Sequence, residues 1–256
     1  MNLYLCDIRQ TDVEQEFDRL LSVVDDDRRD SILRYKMIGD RKRAIVREVM
    51  LTAILFDHYG DSCIELGRNA HGRPYISKVS DVSGKERALE AAFDFNISHS
   101  GDIVVIAFGT GPVGVDVERI GRAKDYKKLL RFYSKEERDY VSDSVDPQDT
   151  FYRVWTMREA LSKQEGSGLM LFEKESVHID LDRQQVRLHE KDLQLYEYDY
   201  PGYHICLCAG SQDERPDMEL IGERGWQRIK EVFCAGHIKI VTGDKGGQND
   251  QGVAYN

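Results

Sequence analysis

Cysteine is scarce in this chain, with five residues in 256. Cys6, Cys63, Cys206, Cys208 and Cys234 are odd in number and match no zinc spacing, so neither a disulfide framework nor a thiolate metal site is expected. They read as small buried hydrophobes in a reduced compartment. No run of about 18 apolar residues occurs, which argues against a membrane-spanning helix. The first residues lack the basic region and apolar core of a secretory leader, so the expected location is the cytoplasm. Positive charge is the minority sign, and a net charge of −10 argues against unselective nucleic-acid binding. The sequence also contains neither a G-x-S-x-G nucleophile elbow nor a G-x-x-x-x-G-K-[ST] phosphate loop.

What is present fits a globular chain long enough for one large domain or two small ones. Leu3, Leu5 and Ile8 mark a first strand. Arg28, Arg29, Arg34, Lys36, Arg41, Lys42, Arg43 and Arg47 crowd one early stretch. In an acidic protein that stretch is either a solvated helix face or a seat for a small phosphorylated ligand. Residues 40–59 carry a helical apolar stripe (Ile45, Val46, Val49, Met50, Ala53, Ile54), with Asp40 as N-cap and Gly60 as stop. Residues 67–85 read as loop. Residues 103–108 and 113–117 read as strands, 126–133 and 150–164 as helices, and two or three more strands are expected between 177 and 209. Gly, Asp, Asn and Gln dominate residues 242–256, where disorder is expected.

Three elements point to chemistry. In Gly114-Val115-Asp116-Val117-Glu118, strand alternation puts Asp116 and Glu118 on one side, and paired carboxylate oxygens suit Mg²⁺. In Trp155-Thr156-Met157-Arg158-Glu159-Ala160-Leu161-Ser162-Lys163, Glu159 and Lys163 share a helix face. They read as a surface ion pair or as a third metal carboxylate with a cation one turn away. Asn96-Ile97-Ser98-His99-Ser100-Gly101 reads as a turn offering hydroxyl, imidazole and backbone donors to phosphate.

Taken in order with Gly72-Arg73-Pro74, Phe132-Tyr133-Ser134-Lys135-Glu136-Glu137 and Gln164-Glu165-Gly166, these motifs resemble the Sfp-type 4′-phosphopantetheinyl transferase family. The resemblance covers most of residues 1–210 and is strongest over 95–169. It implies an α+β fold of two similar α/β subdomains related by a pseudo-twofold, each an antiparallel sheet packed with a long helix. The expected organisation is 1–112, 113–211 carrying the metal ligands, and a 212–256 extension of a helix and a disordered tail. The residues alone show no clear repeat between the halves.

The family would use Mg²⁺ (or Mn²⁺) and coenzyme A to load a serine of an apo acyl or peptidyl carrier protein. The carrier could be of fatty-acid, polyketide or nonribosomal-peptide type. Position by position, the resemblance implies Asp116, Glu118 and Glu159 as metal carboxylates. It implies Arg28, Arg43, Arg73, Ser98, His99, Arg158 and Lys163 as coenzyme contacts, and Glu159, Lys163 and Glu137 as catalytic groups. Two departures stand out: Ser31 replaces a second lysine, leaving Lys36 or Lys42 to substitute, and Arg158 stands where Lys is common. Tyr126, Lys127, Lys128, Arg131 and Phe132 are candidates for the carrier-facing surface. No nucleic-acid or membrane partner is expected, and the internally doubled length suits a monomer with its site between the halves.

Overall fold

In the computed structural model, which describes residues 1–88, 93–121, 126–166, 179–188 and 190–242, apolar patterning sets the layers. The chain begins with strand β1 (Asn2–Asp7), which alternates to bury Leu3 and Leu5. Helices α1 (Val13–Val23), α2 (Asp26–Leu33) and α3 (Ile38–Tyr59) follow. Next come β2 (Ser62–Arg68), β3 (Pro74–Asp81), β4 (Glu86–Arg87), β5 (Asp94–Ser100) and β6 (Ile103–Gly109). The second half opens with β7 (Gly114–Arg119) and helices α4 (Tyr126–Leu130), α5 (Lys135–Ser142) and α6 (Pro147–Glu165). Strands β8 (Ile179–Asp180), β9 (Gln185–Leu188), β10 (Lys191–Tyr200) and β11 (Tyr203–Gly210) complete it. The extension contributes β12 (Met218–Ile221), α7 (Glu223–Ala235) and β13 (Ile238–Thr242).

The result is α+β, with sheets ordered β12-β1-β6-β5, β7-β11-β10-β9-β8 and β13-β2-β3-β4. The unbroken apolar run of β6 is buried along its whole length. Long helices α3 and α6 pack on β6 and on β7 and β11 respectively. Between the first two sheets lies a shared core in which Leu3, Leu5 and Val105 meet Val115, Val117 and Leu207. All five cysteines are free thiols. Among the described residues no helix is long and apolar enough to cross a membrane.

Several expected boundaries move. Helix α3 begins at Ile38, with Met37 as an extended N-cap, and Asp40 sits in the first turn, where its charge suits the helix dipole. Residues 67–85 are largely the β2–β3 hairpin rather than loop. Helix α6 starts at Pro147, capped by Asp146, whose side chain accepts the Gln148 and Asp149 amides. Helix α4 stops at Leu130. The extension holds a helix, as expected, but also two strands: β12 pairs parallel with β1, and β13 with β2. Thr242, placed in the disordered tail, is paired with Leu66. The rest of that tail, 243–256, lies outside the described residues.

Candidate active site

The site is built along the seam between β5 and β7, each an edge strand of its own sheet. No backbone ladder joins them; alternate polar side chains of β5 take the free amides of β7 instead. Asp94 Oδ2 accepts from Val113 N at 3.0 Å and Asn96 Oδ1 from Val115 N at 2.9 Å. Ser98 Oγ accepts from Val117 N at 3.4 Å and Ser100 Oγ from Arg119 N at 3.1 Å. Polar residues at period two thus satisfy an otherwise open sheet edge. The expected turn at 96–101 is therefore strand as far as Ser100, and only Gly101, at φ 56°, turns the chain.

The same serines reach the carboxylates of β7. Ser98 Oγ donates to Asp116 Oδ1 at 2.8 Å, and Ser100 Oγ donates to Glu118 Oε2 at 3.0 Å. Asp116 and Glu118 therefore share a face, as the alternation requires. Lys163 Nζ from α6 donates to Asp116 Oδ1 at 2.6 Å and to Ser98 Oγ at 2.9 Å. The close approach of α6 is possible because residue 114 is glycine: a Cβ there would lie 2.1 Å from Ala160 O and 2.3 Å from Gln164 N.

Asp116 is buried, and its Oδ2 has no hydrogen-bond partner among the described residues. A buried carboxylate oxygen left open costs free energy that a cation would offset. Hard oxygen donors fit Mg²⁺, which keeps several waters and takes substrate phosphate oxygens, so a complete protein cage is unnecessary. Among the described residues no group of three or more acidic, histidine or cysteine side chains is assembled to hold a metal. Glu159, half-buried on the face of α6 that carries Lys163, is not gathered into a finished trio with Asp116 and Glu118.

Beside this seam basic residues gather around His99. His99, on β5, is exposed. Partial loss of water, followed by the positive charges of Arg47, Arg43 and Lys163, lowers its pKa to about 4. Arg43 donates to Gly101 O at 2.6 Å and pairs with Asp40. Arg28, on α2, pairs with Glu48 of α3.

Four residues expected as coenzyme or catalytic contacts have partners within the protein. Arg73 is turned inward: its guanidinium bonds Lys163 O, Gln164 O (3.1 Å), Val113 O (2.7 Å) and the Asp94 carboxylate. A cation on the last carbonyls of α6 suits the helix dipole, so Arg73 clamps β5, β7 and α6 together. Arg158 and Glu137 form a buried two-bond ion pair, with Nε to Oε1 at 2.8 Å and Nη2 to Oε2. Glu137 Oε2 also accepts the Ser134 amide at 2.9 Å, closing a capping box on α5. The Arg158 guanidinium lies 4.8 Å over the Tyr133 ring. Their geometry braces α5 on α6. Ser98, expected as a coenzyme contact, has its hydroxyl engaged by Asp116, Lys163 and Val117.

Asp94 has no role in the sequence reading, and Asn96 and Ser100 enter it as part of a phosphate-binding turn rather than as acceptors for β7, although the period-two polar pattern against Phe95 and Ile97 is visible in the sequence. Helix α5 was also readable, from Ser134-x-x-Glu137 ahead of Val141.

A family model for the N-terminal part of 4′-phosphopantetheinyl transferases matches residues 11–110, and one for the 4′-phosphopantetheinyl transferase superfamily matches 112–208. The chain belongs to this superfamily. It is similar to the 4′-phosphopantetheinyl transferase ffp of Bacillus subtilis, 32% identical over 226 residues that cover 81% of this chain and 92% of the relative. The Sfp enzyme of Bacillus subtilis (strain 168) is 30% identical over the same shares. The psf-1 enzyme of Bacillus pumilus is 26% identical, covering 81% of this chain and 88% of its own. The superfamily match covers β7 and α6, which carry Asp116, Glu118 and Lys163, and the N-terminal match covers β5.

Proposed function

We propose that this chain moves the 4′-phosphopantetheine arm of coenzyme A onto a serine hydroxyl of an apo acyl or peptidyl carrier protein, releasing 3′,5′-ADP. The observation that carries this reading is the Lys163–Asp116–Ser98 cluster, with its open Asp116 oxygen and, next to it, His99 among basic residues. Asp116, Glu118 and Glu159 are the residues that would hold Mg²⁺, which when bound neutralises pyrophosphate charge. Lys163 offsets charge on the phosphates at the same point. His99, neutral at physiological pH, offers a hydrogen bond to phosphate, and Arg28 and Arg43 attract the adenosine end.

In the reaction the carrier serine oxygen attacks the β-phosphorus. A new P–O bond forms there as the bond to the bridging oxygen breaks, and the electron pair leaves on 3′,5′-ADP. With Glu137 held by Arg158, Glu159 takes the serine proton in this reading. Arg131 lies 4.8 Å over the exposed Phe132 ring, and with Lys127 they give a basic, apolar edge suited to an acidic carrier helix. Every residue of the proposed site lies on this one chain, which supports a monomer. Intact-mass measurement of several apo carriers after incubation with enzyme, coenzyme A and Mg²⁺ tests the proposal. One added phosphopantetheine is expected, and no gain on any carrier type overturns it.

A further inference from the structure

The three elements that meet at the Asp116 carboxylate meet a second time, on one guanidinium. Arg73 follows the β2–β3 turn and sends Nη1 to Lys163 O and Gln164 O, and Nη2 to the Asp94 carboxylate and Val113 O. Its partners stand at matched places. Lys163 itself carries the ammonium on α6. Val113 lies three residues before Asp116 at the entry to β7, and Asp94 four residues before Ser98 on β5. At roughly 3.3 Å per strand residue, the second junction sits about 10–13 Å from the first along the strands.

The turn that supplies Arg73 is itself fixed on α6. Asn69 Oδ1 accepts from the His71 and Arg73 amides at 2.9 and 3.0 Å, which shapes the turn. Asn69 Nδ2 donates at 3.2 Å to the carbonyl of Gly166, the C-cap of α6. A Cβ on Gly166 would lie 3.0 Å from that nitrogen, and φ there is 68°, so the cap favours glycine. The carbonyls of residues 163, 164 and 166 thus find donors on a hairpin of a different sheet. Four acceptors around one planar fork suit arginine, because the donors of a lysine all radiate from one nitrogen.

We propose that Arg73 is a positioning residue: by fixing the main chain of Lys163 against β5 and β7, it sets the reach of the Lys163 ammonium to Asp116 and Ser98. The effect on turnover rests on the phosphopantetheinyl-transfer reading above; the effect on Lys163 does not. Lys163 lies in the last turn of α6, where helix carbonyls lack partners within the helix and the chain frays unless tied down. A misplacement of about 1 Å in such a group is enough to slow chemistry strongly.

Two measurements on the full chain test this. In protein carrying ¹³C-lysine, the Lys163 side-chain NMR signal is assigned by its loss in Lys163→Met. Arg73→Met should shift that signal towards the value of a freely solvated lysine, and Arg73→Lys should shift it less. The signal of Lys230, buried against Asp12, should hold still, which a general loosening of the fold would not allow. The second measurement is a double-mutant cycle on kcat for carrier loading. Arg73→Met should slow the wild type by about tenfold or more, yet slow Lys163→Met by about threefold or less, because the group it acts through is gone. Arg73→Lys should recover part of the rate. If Arg73→Met does not fold, Asn69→Ala, which releases Gly166 O and the Arg73 amide, is read in its place. An unmoved Lys163 signal in the folded variant overturns the proposal. So do losses that simply add in the cycle, the result expected of an arginine that touches the coenzyme itself. A Lys163 signal that shifts in a protein that loads no carrier overturns the proposed function and leaves the role of Arg73 standing.

Discussion

Lys163 Nζ sits 2.6 Å from Asp116 Oδ1, and Ser98 Oγ bonds both partners, so three elements meet at one carboxylate oxygen while its twin Oδ2 stays open. Asp116→Asn separates fold from chemistry here. The amide oxygen can still accept from Ser98 and Lys163, but a neutral NH₂ replaces the oxygen proposed to face the cation. Transfer should fall by at least about 100-fold, roughly 2.7 kcal/mol of barrier, with a Tm shift of only a few degrees. Asp116→Ala should lose activity and stability together. Transfer rate against Mg²⁺ concentration, alongside a thermal melt, decides it. A wild-type rate and Mg²⁺ dependence in Asp116→Asn would remove the metal role.

The β5–β7 stitch makes a separate prediction about stability. Asn96 Oδ1 is the acceptor for the Val115 amide at 2.9 Å, and both residues are buried. Asn96→Leu keeps the branched side-chain shape and leaves that N–H unsatisfied, a loss of about 1–3 kcal/mol. Because Val115 precedes Asp116, transfer should slow as well. An unchanged urea midpoint would show that the seam is held by packing alone.

Which parts of this were readable follows from how local the cause is. The β7 carboxylates and the Glu159–Lys163 helix face are set by periods of two and of about 3.6, and residues 114–118 and 155–163 show both directly. Arg73 and Arg158 are different. An arginine in a phosphate-binding motif looks the same whether its partner is a ligand or a carbonyl 90 residues away. Only the fold shows Arg73 on Lys163 O and Arg158 on Glu137. The parallel pairing of β12 with β1 joins residues over 200 apart in sequence, so no window of sequence carries it.

Arg158 therefore acts as a brace. Arg158→Met removes one partner from a buried ion pair and leaves Glu137 uncompensated, a loss of about 3–5 kcal/mol. Arg158→Lys should recover little, since one ammonium cannot replace two parallel N–H bonds to the carboxylate. Urea denaturation should register both changes, and KM for coenzyme A in the surviving folded enzyme should move little. A large KM effect at wild-type stability would give Arg158 a role at the coenzyme.

His99 gives a pH signature. Its folded pKa of about 4 lies below the ordinary 6.5. As pH falls from 6.5 towards 4 the unfolded chain takes up a proton that the folded chain refuses, so stability is lost over that window. His99→Gln, which cannot titrate, should show a shallower decline in urea midpoint between pH 7 and 5. An anion beside His99 should raise its pKa, so added 3′,5′-ADP should flatten the wild-type decline. Parallel declines in the two proteins would mean that His99 is not held neutral by its surroundings.

The extension makes the last test. Trp226 on α7 is fully buried against the α3 core, and its Nε1 donates to Asp12 Oδ1 at 2.5 Å. Lys230 and Gln227 reach Asp12 Oδ2 at 2.5 and 3.1 Å. Burial alone would raise the Asp12 pKa, but these three hydrogen bonds hold it down to about 2. Strands β12 and β13 at the same time cover one edge each of two sheets. A chain ending at residue 216 loses all of this. Trp226→Ala alone should cost about 3–5 kcal/mol, a large share of the 5–15 kcal/mol of an ordinary domain. The 216 truncation should therefore be insoluble or unfolded, while a chain ending at 242 should keep wild-type Tm and transfer rate. Circular-dichroism melts of the two truncations and of Trp226→Ala make the comparison. A folded, active chain ending at 216 would show that the extension decorates the fold without holding it.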